Sequence, residues 1–317
     1  MATVFAFPGQ GSQAVGMGAA LADAFPEARA VFQEVDDALG EALSKTIFEG
    51  PDDALTLTRN AQPALMAVSM AALKALETQG ISVSAHADFV AGHSLGEYSA
   101  LAAAGSLSIA DAARLLRIRG DAMQAAVPVG EGAMAAILGL DIEAVREIAN
   151  EAAQGDVCEA ANDNAPGQVV VSGSKAAVER AAEIAKAKGA KRAMLLPVSA
   201  PFHCALMQPA AERMADALAQ TEIAPPSVPV VANVTARPLT EVSEIRQRLV
   251  EQVTGAVRWR ESVAWMGENG VTLLAEIGAG RVLSGLVRRI APGMSALTVG
   301  KPEEIEAAVA ALKAAKE

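Results

Sequence analysis

Apolar and polar positions fall into blocks whose period changes along the chain. Thr3-Val4-Phe5-Ala6-Phe7 is a short β-type run, broken by Pro8-Gly9-Gln10-Gly11-Ser12-Gln13, after which alanine-rich, helix-like sequence begins. The chain therefore starts strand, glycine loop, helix. Ala28 to Leu39 reads as helix, and Gln62 to Leu76 starts another with a proline near its first turn. The apolar run from Asp88 to Ala91 predicts a buried strand, and Leu95 to Ala104 predicts a helix closed by Gly105. Ser108 to Asp111 has the form of a helix start. On a wheel of about 100° per residue, Ala112, Leu115, Leu116, Ala122, Met123 and Ala126 then share one stripe, with Arg119 in its middle. Arg114 and Arg117 point away.

After Pro128 the texture changes. Gly132–Leu140 reads as strand, Asp141–Gln154 as helix, Val157–Asn162 and Gln168–Gly173 as strands, Ser174–Lys188 as helix and Arg192–Val198 as strand. That βαββαβ order predicts a ferredoxin-like unit, residues 128–198, inserted in a larger α/β domain made of residues 1–127 and 199–317. The polar stretch Asn162 to Gln168 is expected to be the loop between its middle strands. Further on, Glu241–Val253 is an amphipathic helix with Gln252 on its apolar face, either a satisfied core amide or a site-lining one. Leu273 to Gly278 is a strand-to-glycine turn, Val282–Ile290 a helix and Ile305–Lys316 a terminal helix.

Candidate chemistry gathers where these elements meet. Gly92-His93-Ser94-Leu95-Gly96 is Gly-x-Ser-x-Gly between a predicted strand and a predicted helix, the context of a nucleophile elbow. The helix amino terminus offers free N–H groups to an oxyanion. Of three histidines, His93 sits inside the elbow, where its side chain should diverge from the serine, and His86 lies in the approach to the strand. His203, in the proline-bounded loop Pro197 to His203, is the best base. No acid between serine and histidine stands out as a triad partner. Arg119 on an apolar seam must be paired, by a structural ion pair or by a substrate carboxylate, which suits its fork. Gly9-x-Gly11-x-x-Ala14 formally satisfies a dinucleotide fingerprint, with Glu34, Asp36 and Asp37 about 20 residues on. Those acids sit in predicted helix instead of ending a strand. The alternatives are a loop aiming Gln10 at a reacting centre and a plain surface turn.

Composition narrows the partners. In 317 residues the net charge is −11, which argues against nucleic acid. No apolar stretch predicts a membrane span and the first residues lack a signal pattern, so a soluble cytoplasmic protein is expected. Cys158 and Cys204 have neither metal-ligand nor disulfide-scaffold spacing, and no metal or cofactor is expected. Cys204 adjoins His203 but has no elbow, so Ser94 is preferred as nucleophile. Basic residues at Lys186, Lys188, Lys191 and Arg192, and at Arg288 and Arg289, are candidate docking points on an acidic protein, of which Lys191, Arg192, Arg288 and Arg289 are put forward.

Five motifs together, Phe7 to Gln13, Gly92 to Ser99, Arg119-Gly120, Asn164 to Gln168 and Ala200 to His203, resemble those of the malonyl-CoA:acyl carrier protein transacylase family, in family order and over essentially the whole chain. The resemblance implies a hydrolase-like parallel-sheet domain carrying a ferredoxin-like insert. It implies transfer of malonyl from malonyl-CoA to the phosphopantetheine thiol of acyl carrier protein, with CoA thioester as substrate and no cofactor. Carried over by position, Ser94 is nucleophile, His203 base, the N–H groups of Leu95 and Gln10 the oxyanion hole, and Arg119 the malonyl clamp. A backbone carbonyl at Gln252 would orient the histidine, and Phe202 would crowd a methyl-branched substrate. Asp163 between two asparagines departs from the family pattern. A serine esterase or thioesterase would share the elbow and histidine without needing Arg119, and a nucleotide-binding oxidoreductase would need the first glycine loop.

Overall fold

The computed structural model describes residues 2–316. Ten strands are described: β1 (Ala2–Phe7), β2 (Phe89–Gly92), β3 (Gly132–Leu138), β4 (Cys158–Ala165), β5 (Gln168–Ser174), β6 (Arg192–Leu195), β7 (Val230–Val231), β8 (Pro238–Leu239), β9 (Val271–Ile277) and β10 (Ser295–Val299). Six form one sheet in the order β10-β9-β1-β2-β7-β8, parallel except for the last pair. The other four form an antiparallel sheet in the order β4-β5-β3-β6.

Burial explains the parallel sheet. Along β1, Phe5 and Phe7 enter the core beneath helices Thr58–Glu77, Gly96–Ala103 and Ile109–Ala126. Val4 and Ala6 face the opposite core, with Trp259, Leu283 and Leu286 of helices Trp259–Glu268 and Val282–Ile290. A strand covered on both faces has no polar side to show, which is why β1 and β2 read as continuous apolar runs. The antiparallel sheet has its own core, in which Ile137, Val169 and Val171 meet Val145, Ile148 and Val178 of helices Ile142–Ala153 and Lys175–Ala187. Asp141 caps the first of these, its carboxylate accepting from Ala144 N at 2.8 Å.

Three expectations need correction. The helix expected from Gln62 begins at Thr58, so Pro63 lies inside it. Gly120 explains why the earlier turn is held, since any Cβ there would collide with the backbone of Thr58 and Arg59. The expected loop from Asn162 is largely strand: β4 runs to Ala165 and turns only at Pro166-Gly167. Its polar residues are satisfied across the molecule, Asp163 by Arg260 and Asn164 by His93, and the pairing with β5 shifts register at Ala161 and again at Asn164. Finally, β6 stops at Leu195, short of Pro197, which has no N–H for a ladder. No described helix is long and apolar enough to cross a membrane.

Candidate active site

The elbow is built by close packing. Gly92 and Gly96 approach so tightly that a Cβ on Gly92 would overlap the Gly96 backbone, and one on Gly96 would overlap the Phe7 carbonyl. Ser94, between them, is held at φ 52°, a left-handed conformation that costs a non-glycine residue about 1–2 kcal/mol. His203 is held at φ 59°. Ser94 Oγ and His203 Nε2 are 2.7 Å apart.

Acceptors settle the histidine tautomer. Nδ1 faces the backbone carbonyls of Gln252 at 2.9 Å and Gly255 at 3.1 Å, which can only accept, so Nδ1 carries the ring proton and Nε2 is left to accept a hydrogen bond from the serine hydroxyl. Burial, reinforced by the Arg119 charge and opposed by the Gln252 carbonyl, pushes His203 down to about 3, so the ring is neutral. Among the described residues no carboxylate hydrogen-bonds the His203 ring to complete a triad. His93 turns away from the serine: its Nε2 pairs with Asn164 Oδ1 at 2.8 Å and its ring lies against Trp259.

Arg119 is 2 % exposed. Its Nη1 donates to Gln62 Oε1 at 2.7 Å, and its Nη2 to Ser94 Oγ at 3.1 Å and Gln252 Oε1 at 2.8 Å. Its Nε has no partner, and among the described residues no carboxylate lies within ion-pair distance. The face of Tyr98 supplies a cation–π contact at 5.8 Å. Among the described residues only neutral oxygens hydrogen-bond this guanidinium, and beside the Ser94 hydroxyl it could pair with an anionic ligand group.

Ser94, Arg119, His203, Gln10, Leu95 and Phe202 all line one cavity of about 390 Å³, outside the carboxyl ends of β1 and β2. Among the described residues, neither the Leu95 nor the Gln10 N–H has an acceptor. Gln252, fully buried, lies behind Arg119 and His203 and does not line the cavity. Lys191, Arg192, Arg288 and Arg289 are exposed and stand apart from it. One member of each pair borders the β4–β5 turn: Arg289 donates to Pro166 O and Gln168 Oε1, each at 2.7 Å, while Lys191 packs on Gly139, whose N–H donates to Gly167 O. Lys186 and Lys188 are tied to Glu183 and Glu151. Cys204 is buried, with its thiol on Pro201 O and pushed up to about 11 by burial, an inert environment. Among the described residues no group of three or more His, Cys, Asp or Glu could hold a metal.

Two residues at the site carried no assignment from sequence. Asn233, just beyond β7, accepts from Ser94 N at 2.7 Å through Oδ1 and donates to Gly92 O at 2.6 Å through Nδ2. Its only sequence signal is a polar residue ending an apolar strand. Glu97, inside the elbow motif, accepts from Gln252 Nε2 at 2.7 Å and Asn233 N at 3.1 Å. Burial, opposed by these bonds and by Arg119, raises it to about 7.

A family model described as the acyl transferase domain matches residues 4–301. A Bacillus subtilis protein named malonyl CoA-acyl carrier protein transacylase is 49% identical over 310 residues, 98% of this chain and 96% of its own length. The crystal structure of an acyl-carrier-protein S-malonyltransferase from Bartonella henselae superposes with a TM-score of 0.97 at 59% identity, covering 99% of this chain and 100% of that one. A structure of a type II PKS acyl-carrier protein in complex with its malonyl-transacylase matches at TM-score 0.95 and 45% identity, covering 98% and 100%.

Proposed function

The chain belongs to the acyl transferase family, among the malonyl CoA-acyl carrier protein transacylases, and from that membership we propose that it moves malonyl from malonyl-CoA to the phosphopantetheine thiol of an acyl carrier protein through a malonyl ester on Ser94. The observation that carries the reading is Arg119, buried, held by neutral oxygens alone, and within 3.1 Å of the serine oxygen.

The substrate carboxylate binds the guanidinium. Ser94 Oγ, giving its proton to His203 Nε2, attacks the thioester carbonyl, and the resulting oxyanion rests on the N–H groups of Leu95 and Gln10. The tetrahedral centre collapses, the carbon–sulfur bond breaks, and the CoA sulfur leaves with the proton from His203. The carrier thiol then enters, gives its proton to His203 and attacks the ester, and Ser94 recovers the proton as the carbon–oxygen bond breaks. The Nδ1–H of His203 stays on the Gln252 and Gly255 carbonyls throughout, so those dipoles do the work of a triad carboxylate. Phe202 narrows the acyl pocket against a methyl branch, and no cofactor takes part. A hydrolase would share the dyad but has no use for Arg119.

Residues 128–198 are read as a ferredoxin-like insert in a domain of residues 1–127 and 199–317. The strand order β6-β3-β5-β4 and the two helices that cover that sheet support this. Intact-protein mass spectrometry after mixing with malonyl-CoA tests the mechanism. A malonyl adduct should form on the wild type and be absent from Ser94→Ala, and an adduct that persists on the variant overturns it.

A further inference from the structure

Glu97 is 3 % exposed and lies in the first turn of helix Gly96–Ala103. An acid there would ordinarily cap its own helix or face solvent near the dipole. Its carboxylate does neither. Oε2 reaches residues 155 and 136 positions away in the chain, accepting from the Gln252 side-chain amide at 2.7 Å and the Asn233 backbone N–H at 3.1 Å.

Each of those residues holds a different half of the site. Gln252 gives its backbone carbonyl to His203 Nδ1, its side-chain carbonyl to Arg119 Nη2, and its Nε2 also to Ser94 O at 3.0 Å. Asn233 holds the elbow from the other side, through Ser94 N and Gly92 O. One carboxylate oxygen therefore joins the supports of the nucleophile, the base and the guanidinium. Ser94 and His203 both sit at positive φ, so neither backbone keeps its geometry without such outside restraint.

We propose that Glu97 is a positioning residue: its carboxylate, acting only through Gln252 and Asn233, sets the Ser94–His203 alignment and the placement of the Arg119 fork. This rests on the acyl-transfer reading above. A displacement of about 1 Å at a reacting pair costs on the order of a hundredfold in rate, and Glu97→Asp withdraws the carboxylate from both donors by about one bond length while keeping its charge. Glu97→Gln keeps an oxygen that can accept from both.

The experiment measures the rate of Ser94 acylation by malonyl-CoA and by acetyl-CoA in rapid-quench mass spectrometry, with circular dichroism on each variant and Ser94→Ala as control. Glu97→Asp and Glu97→Ala should acylate about ten- to a hundredfold more slowly with native spectra. Their malonyl-over-acetyl preference should fall as well, because the fork moves with Gln252. Glu97→Gln should stay within about threefold of wild type on both measures. If Glu97→Ala does not fold, Glu97→Asp against Glu97→Gln decides. Wild-type rates and selectivity in Glu97→Asp, or equal losses in Glu97→Gln and Glu97→Asp, overturn the proposal. An adduct on Ser94→Ala would instead overturn the acyl-transfer reading itself.

Discussion

Arg119 carries its charge where only neutral groups touch it: two glutamine carbonyls, the serine hydroxyl and the face of Tyr98. On the proposed function a carboxylated acyl group would supply the missing anion, and an acetyl group would leave it missing. Hydrogen bonds to a charged group are worth about 1.5–3 kcal/mol. Arg119→Ala should therefore lower the malonyl-to-acetyl ratio of acylation rates by about tenfold to a hundredfold. An unchanged ratio in competition with the two thioesters would dismiss the clamp.

Two buried titrating groups of the site, His203 and Glu97, are shifted in opposite directions. Burial and Arg119 move His203 from 6.5 to about 3, so the unfolded chain takes up the proton first. Its contribution to stability is complete above about 6.5 and drains away as pH falls toward 3. Burial raises Glu97 from 4.5 to about 7, so its contribution is complete below 4.5 and is lost as pH rises through about 7. Thermal midpoints measured across pH should show a shallower acid-side fall in His203→Gln and, in Glu97→Gln, a shallower fall between about pH 4.5 and 7. Parallel curves for variants and wild type would contradict both assignments.

At the scale of elements, β4 ties the four-stranded sheet to helix Trp259–Glu268, which covers one face of the six-stranded sheet. Asp163 N donates to Val257 O, and its carboxylate, 4% exposed, takes Arg260 from helix Trp259–Glu268 at 2.8–3.0 Å. Its pKa is nevertheless raised, because burial outweighs the arginine. Removing one partner of such a pair leaves a buried charge without compensation, at about 3–5 kcal/mol when both are fully buried. Arg260 is partly exposed, so about half of that is expected for Arg260→Ala in urea unfolding, with much of the loss recovered in the Asp163→Asn double variant. Additive losses would mean that the pair is not coupled. The aspartate that departs from the family motif thus has a partner in this chain. Sequence could not reveal it, since the two residues are 97 positions apart and share no periodic pattern. Strands and helices were legible because the three cores are apolar with regular spacing. Their ends were less so: β4 outran its expected end because its polar residues are satisfied by tertiary partners, and the helix at Thr58 began early because Gly120 packs on it.

At the scale of the whole molecule, Lys191 and Arg289, from two basic pairs far apart in sequence, border one turn, Pro166-Gly167. We propose that the carrier, if acidic, docks on this basic surface of a protein whose net charge of −11 would repel it elsewhere. Charge reversal at Lys191, Arg192 and Arg288 should raise KM for the carrier several-fold and leave that for malonyl-CoA unchanged, with the difference shrinking at high salt. Equal effects on both substrates would place docking elsewhere. Arg289 is less suited to the test, because it also holds the turn.

The sequence by itself determined the elements and the reactive side chains that must be near a turn or on a stripe. Gly-Ser-Gly spacing, a histidine in a proline-bounded loop and an arginine on an apolar seam are local patterns, written in neighbouring residues. It also held the family likeness, because five motifs in order are improbable by chance. The tertiary structure alone decided what touches what. It put Ser94 2.7 Å from His203 across 109 residues, brought the Gln252 carbonyl to the ring, and joined Glu97 to both supports of the site. Those distances depend on how helices and strands pack, and packing sums many weak contacts over the whole chain that no short stretch of sequence contains.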